Sequence, residues 1–191
     1  MTTNILIVGV GGQGVILASE LLSEAAMQAG YDVKKSEVHG MSQRGGVVSS
    51  HVRFGPKVYS PLIPNGAANV VLAFEAAEGL RWAGQVAVNG MLAMNTQQLV
   101  PPIAFTKEFS YPEDPVGQAR KHVKRVVPVD AIAIANEVGN PKLVNTVLLG
   151  AISGELPISD EIWESVIRKR VPKGTEEANL KAFHLGSNSA K

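Results

Sequence analysis

The stretch "NILIVGVGGQGVILASELLSEA" (residues 4–25) constrains the fold more than any other part of the chain. Residues 4–8 are apolar without alternation, the pattern of a strand covered on both faces in a parallel sheet. A glycine cluster follows. Val15, Ala18, Leu22, Ala25 and Ala29 then recur at helical spacing, with Glu20, Glu24 and Gln28 on the other side. A buried strand that enters a glycine turn and leaves as a helix begins a βα unit. Gly30 predicts the stop of that helix, and "YDVKKSEV" (31–38) reads as a second strand completing a βαβ unit.

The turn carries chemistry as well as shape. Gly9, Gly11 and Gly14 satisfy G-x-G-x-x-G, the spacing that holds a pyrophosphate at a helix N-terminus. In that pattern Gly9 permits the tight turn, Gly11 lets a phosphate approach the backbone, and Gly14 lets helix and strand pack closely. Glu37, 23 residues after Gly14, stands where a ribose-binding acid belongs. Gly12 and Gln13 loosen the turn relative to a dinucleotide turn, and the polar loop after Glu37 is foreign to such enzymes. Two readings follow: a nucleotide site, or a turn whose glycines only let the backbone bend and pack.

Beyond the second strand the alternation of strand and helix breaks. Residues 39–46 form a polar, glycine-containing loop, 47–54 a strand, and "GPK" (55–57) a turn into a short strand at 58–60. Strands are expected at 68–75, 84–90 and 124–131, the second ending in a glycine turn. Helices are expected at 76–82, 116–123, 141–153, 160–170 and 175–183, with Ser159 and Thr175 as N-caps and a frayed tail from 185. Residues 99–115 read as a proline-punctuated loop. The expected fold is α/β, a Rossmann-like three-layer arrangement whose mostly parallel sheet is made mixed by an inserted antiparallel hairpin.

Composition excludes several function classes. The 191 residues contain no cysteine, which removes disulfides, thiolate nucleophiles and cysteine-ligated zinc or iron–sulfur clusters from this chain. His39, His51, His122 and His184 are scattered without metal-ligand spacing, so no metal site is expected. A net charge of +1 offers no field for nucleic acid or anionic membrane. No run approaches the roughly 20 apolar residues of a membrane span, and the N-terminus lacks signal-peptide features. A soluble, cytoplasmic protein is expected. The basic run "ARKHVKR" (119–125) reads first as a solvated face and second as a contact for coenzyme A phosphates or an acidic ferredoxin.

"GGQG" together with "EVHGMSQRGG", "ANEVGNPKLVNTVLLGAI" (135–152) and "EEANLKAFHLG" (176–186) resembles the gamma-type domain of the 2-oxoacid:ferredoxin oxidoreductases, and most of all its indolepyruvate type. The likeness covers nearly the whole chain and implies one domain over residues 1–191. It implies a complex that oxidatively decarboxylates 2-oxoacids, here aryl pyruvates, with coenzyme A to acyl-CoA and reduced ferredoxin. Thiamine diphosphate, magnesium and [4Fe–4S] clusters are then expected in a large alpha subunit, and this chain is expected to complete the complex without activity of its own. A hetero-oligomer is implied, with a homodimer open to the isolated chain. The rival readings are a free-standing NAD- or FAD-dependent oxidoreductase and a nucleotide-sensing regulatory protein.

No residue stands out for acid–base or nucleophilic catalysis. Glu37, His39, Met41, Ser42, Gln43, Arg44, Gly45 and Gly46 concentrate unlike functional groups between glycines. That density is expected of a partner interface, with Arg44 as its anchor.

Overall fold

A computed structural model describes residues 1–39, 46–100 and 110–190. In chain order the elements are β1 (Thr3–Val10), α1 (Val15–Gln28), β2 (Asp32–His39), β3 (Val47–Gly55), β4 (Ala68–Ala73), α2 (Ala76–Arg81), β5 (Val86–Asn95) and α3 (Pro115–Arg120). They continue with β6 (Val126–Val129), α4 (Ala131–Val138), α5 (Val144–Ser153), α6 (Asp160–Arg170) and α7 (Glu176–Ser189).

The six strands form one sheet in the order β2-β3-β1-β4-β5-β6. β1, β4, β5 and β6 pair in parallel, while β3 runs antiparallel to both β1 and β2. The sheet is mixed as expected, but not through a hairpin of 47–54 with 58–60: β3 pairs with β2 and β1 and fills the place beside β1 that β2 would take in a simple βαβ unit.

Alternation along the buried strands supplies both faces. Ile5, Ile7, Leu72 and Ala93 point into a large core with side chains of α1 and α4 to α7, including Trp163 and Phe183. Leu6, Val8, Val71, Leu92 and Met94 point the other way, under the thinner layer that contains Ala83, Ala119 and Val123. Each fully buried side chain of this size contributes about 1.5–3 kcal/mol. The continuous apolar run of β1 follows from helices covering both sides of the sheet.

Several expectations need correction. β5 does not end in a glycine turn at Gly90 but runs on to Asn95. A Cβ on Gly90 would sit 2.7 Å from the Ala68 carbonyl oxygen, and the β4–β5 register shifts between Ala68 and Val70. Gly90 thus lets two strands approach at an irregularity, a common use of glycine inside a strand. The strand expected at 124–131 is shorter. Asp130 caps α4 by accepting from the Ala133 N–H at 3.0 Å, and Gly139, at φ 94°, closes that helix in the left-handed region.

No strand forms at 58–60. Ser159 and Thr175 occupy N-cap positions without a capping side-chain bond. The tail is no frayed end, because α7 continues to Ser189 and lays Gly186 against Val147 of α5.

Candidate functional site

The carboxyl ends of β1, β4, β5 and β6 share one edge of the sheet with the glycine turn and with the junction of β2 and β3. The helices after β1 and β4 lie on opposite faces, so the β1–β4 boundary is the switch point where open α/β sheets bind ligands.

The turn is braced from within. Gln13 accepts from the Val10 N–H (2.8 Å) through its side-chain oxygen and donates to the Phe74 carbonyl (3.0 Å) through its side-chain nitrogen. Asn95, fully buried, donates to the same carbonyl at 3.0 Å. The ends of β1, β4 and β5 are thereby stitched together, and Gln13 tightens the turn that it was expected to loosen.

The glycines also exchange roles. Gly9 is the crowded one, since a Cβ there would meet Phe74, Val15 and Gln13 at 2.9 Å. Gly12 and Gly14 hold the left-handed conformations, φ 99° and 88°. Gly11 gives its N–H to the Gly46 carbonyl at 2.9 Å, so that donor is committed to the base of the β2–β3 loop.

The inserted strand changes the meaning of Glu37. Two strand spacings, about 10 Å, separate β2 from β1 where a dinucleotide fold has one. Glu37 pairs with Lys35 at 2.7 Å and lies opposite Ser50 in the ladder. A ribose-binding carboxylate belongs one spacing from the turn, and Glu37 is held two away. NAD binding should accordingly be weaker than a dissociation constant of about 10 μM, or roughly −7 kcal/mol. Calorimetric titration checks this, and tighter binding would return the chain to the dehydrogenase reading.

Of the other loop residues, His39 ends β2 opposite Val48, and Gly46 sits at the foot of β3. Met41, Ser42, Gln43, Arg44 and Gly45 lie outside the described residues.

Two features of this edge escaped sequence reasoning. The first is a buried acid cluster. Glu75, 2 % exposed, accepts from the backbone N–H groups of Glu78 (2.9 Å) and Leu99 (3.1 Å) and from the Tyr111 hydroxyl. Burial and this carboxylate push the Tyr111 hydroxyl well above its usual range. Burial likewise raises Glu78 above an ordinary glutamate, against the pull of Arg81, whose Nε stands 3.1 Å away. The signal available was an acid closing the apolar run "NVVLAF" directly before a helix.

The second is an open cleft of about 420 Å³ beside the glycine turn, lined by Gly12, Gly14, Gln97, Lys142 and Asn145 over an apolar floor that includes Leu17 and Ile132. Lys142 and Asn145 lie some 130 residues from the turn in sequence, so only the tertiary fold brings them to it.

The same edge is unusually apolar for exposed surface. Ile16, Leu17, Val38, Val47, Leu99 and Val100 are six of the eleven large apolar side chains exposed among the described residues. Such concentration marks an interaction surface. The basic run lies elsewhere: Lys124 and His122 line a separate cleft with Val86 and Val88 at the amino end of β5, and Arg125 is engaged by Glu155. Among the described residues no group of three His, Asp or Glu side chains is placed to hold a metal, and no helix is long and apolar enough to cross a membrane.

Comparison with known proteins gives concordant matches. The family model for pyruvate ferredoxin/flavodoxin oxidoreductase matches residues 4–189. Indolepyruvate oxidoreductase subunit IorB of Archaeoglobus fulgidus is 41% identical over 194 residues, spanning 100% of this chain and 96% of that protein. Its counterpart in Thermococcus kodakarensis is 41% identical over 98% of this chain and 96% of its own length. Among solved structures, the gamma subunit of a keto/oxoacid ferredoxin oxidoreductase from Geobacter sulfurreducens superposes with a TM-score of 0.74 at 26% identity, covering 98% of both chains. A 2-oxoglutarate:ferredoxin oxidoreductase from Magnetococcus marinus, solved with 2-oxoglutarate, coenzyme A and succinyl-CoA, shares the fold over 31% of its chain (TM-score 0.77, 21% identity).

Proposed function

The chain belongs to the pyruvate ferredoxin/flavodoxin oxidoreductase family, and we propose that it is the non-redox subunit of an indolepyruvate-type 2-oxoacid:ferredoxin oxidoreductase. The observation that carries this reading is 41% identity over essentially the full length of indolepyruvate oxidoreductase subunits. The whole of residues 1–191 serves as one gamma-type domain, in a cytoplasmic hetero-oligomer with a large alpha subunit; the isolated chain is free to form a homodimer.

The reaction of the complex removes carbon dioxide from an aryl pyruvate, passes the acyl group to coenzyme A and delivers the electrons to ferredoxin. Thiamine diphosphate with magnesium supplies the carbanion chemistry and [4Fe–4S] clusters the electron path, both in the alpha subunit. Cluster ligation does not fit this chain, which has no cysteine to offer.

Its own residues supply a rigid, apolar-rimmed edge. Gln13 and Asn95 lock the strand ends, and Gly11 anchors the foot of the β2–β3 loop through Gly46. A braced edge docks without reorganising, which lowers the entropic cost of association. The partner-facing residues are Glu37, His39, Met41, Ser42, Gln43, Arg44, Gly45 and Gly46, together with the exposed apolar side chains around them.

Arg44 anchors that interface, because a planar guanidinium fork suits a carboxylate or phosphate. Truncating such an anchor costs about 2–4 kcal/mol, roughly thirty- to a thousandfold in affinity. Arg44→Ala should leave the melting temperature of the isolated chain unchanged and cut co-purification with the alpha subunit by more than about tenfold. Wild-type assembly and turnover in this variant would remove the loop from the interface, and unfolding of the isolated chain would make Arg44 a structural residue.

A further inference from the structure

We propose that two copies of this chain pair through the outer edge of β2, antiparallel about a two-fold axis at Ser36, so that their sheets join into one. The proposal specifies the homodimer open to the isolated chain and rests on β2 itself, not on the subunit assignment.

β2 is the last strand of the sheet, and among the described residues no strand lies on its outer side. Its eight residues, "DVKKSEVH", contain neither proline nor glycine, and they pair with β3 without a register shift from Asp32 to His39. β3 occupies the inner side of the strand and α1 packs on one face. Backbone N–H and C=O groups on the outer side are therefore left for another strand.

Edges of this kind are commonly guarded by lysines, bulges or prolines. The lysines here are no guard, because each is neutralised within its own strand. Lys34 reaches Asp32 at 2.6 Å and Lys35 reaches Glu37 at 2.7 Å. Two cations and two carboxylates leave the strand without net charge. Val38 adds an apolar side chain that is 54 % exposed.

The order of the charges selects the register. Antiparallel pairing about a two-fold axis sets residues opposite one another symmetrically about one central position. A centre at Lys34, Lys35 or Glu37 brings that charge against its own copy. A centre at Ser36 places Lys35 opposite the second copy's Glu37, and Glu37 opposite the second copy's Lys35. Both pairs lie on the α1 face, since Glu37 stands opposite Ser50, and Ser50 opposite Ile7 of the larger core.

On the other face Lys34 lies opposite Val38, where its methylene stem covers the exposed valine. Opposite charges facing across a strand pair stabilise it, and like charges destabilise it. The contact is self-complementary, as a two-fold interface must be. It engages Val33 to His39, all but the first residue of the strand.

Sedimentation of the full chain up to about 100 μM, above the micromolar dissociation constants of small specific interfaces, tests this together with amide hydrogen exchange on the same samples. A monomer–dimer equilibrium is expected, with exchange in residues 33–39 slowing as the dimer forms. Lys35→Glu and Glu37→Lys each set like charges together at both contacts, and each should weaken the dimer at least about tenfold. Mixing the two variants in equal amounts again places an acid opposite a lysine at both contacts. The mixture should regain an affinity within about threefold of wild type. Each variant lacks the ion pair within its own strand, so recovery in the mixture reports the contact between copies. A wild-type chain that stays monomeric, a dimer whose protection falls outside β2, or variants that dimerise like wild type would each overturn the proposal. So would single variants that remain monomeric when mixed.

Discussion

Gly150→Ala is expected to lower the melting temperature of the isolated chain by about 6–12 °C. α5 and α7 cross more intimately than any other helix pair, and the crossing is built on two glycines facing backbone. A Cβ on Gly150 would enter the van der Waals shell of the Phe183 carbonyl oxygen, and a Cβ on Gly186 that of the Val147 carbonyl oxygen. A clash with a side chain can be relieved by a new rotamer, whereas a clash with a carbonyl requires the helices to separate. Overpacking of this kind costs about 1–3 kcal/mol, and about 4 kcal/mol where, as here, backbone faces backbone and must move. The helix-propensity gain of alanine over glycine, about 1 kcal/mol, offsets part of that.

A net loss of about 3 kcal/mol corresponds to the stated shift at 2–4 °C per kcal/mol for a domain of this size. Once Gly150→Ala has parted the helices, Gly186→Ala should add less than its single effect, because the two share one contact. Thermal unfolding followed by circular dichroism reads all three variants. A single variant within about 2 °C of wild type would mean the helices are not in backbone contact. The crossing also bears on the cleft, since Thr146 donates to Asn179 of α7 at 2.8 Å. Parting the helices would therefore disturb the residue next to Asn145.

The β1–turn–α1 unit was legible because its signals are local: an apolar run, a glycine cluster and a 3.6-residue period. The strand at 47–54 and the mixed sheet were legible because that run was strand-like without a preceding helix, whereas its partner was sought at 58–60 and lies in β2 instead. That β3 lies between β1 and β2 was not, because pairing order depends on contacts across the chain. The same limit explains the glycines. G-x-G-x-x-G says that the backbone turns, but which glycine is crowded depends on Phe74, more than sixty residues away. Gly90 and Gly186 were read as a turn and a frayed end for the same reason, since their partners, Ala68 and Val147, are distant in sequence. α4 carried its own local signals, Asp130 and Gly139, and was missed because the strand was extended two residues too far. Lys142 and Asn145 carried no local signal, and their chemistry appears only where the fold sets them against the glycine turn.

The remaining large effect concerns activity itself. The isolated chain should be colourless, without the iron–sulfur absorbance expected at about 400 nm, because it has no thiolate to ligate a cluster. It should also lack a dinucleotide route for electrons, because β3 displaces Glu37 from the turn. With neither electron path, the proposed function requires a partner subunit to supply both carbanion chemistry and clusters before a 2-oxoacid is oxidised. Under the proposed function this chain would contribute a braced edge that holds the partner's site in its working shape. The direct measurement is indolepyruvate- and coenzyme A-dependent reduction of a viologen dye, under anaerobic conditions, by this chain, by the alpha subunit and by the two co-expressed. A blank rate is expected for this chain alone and full turnover only for the pair. Dye reduction by this chain alone, or an alpha subunit as fast without it as with it, would contradict the account.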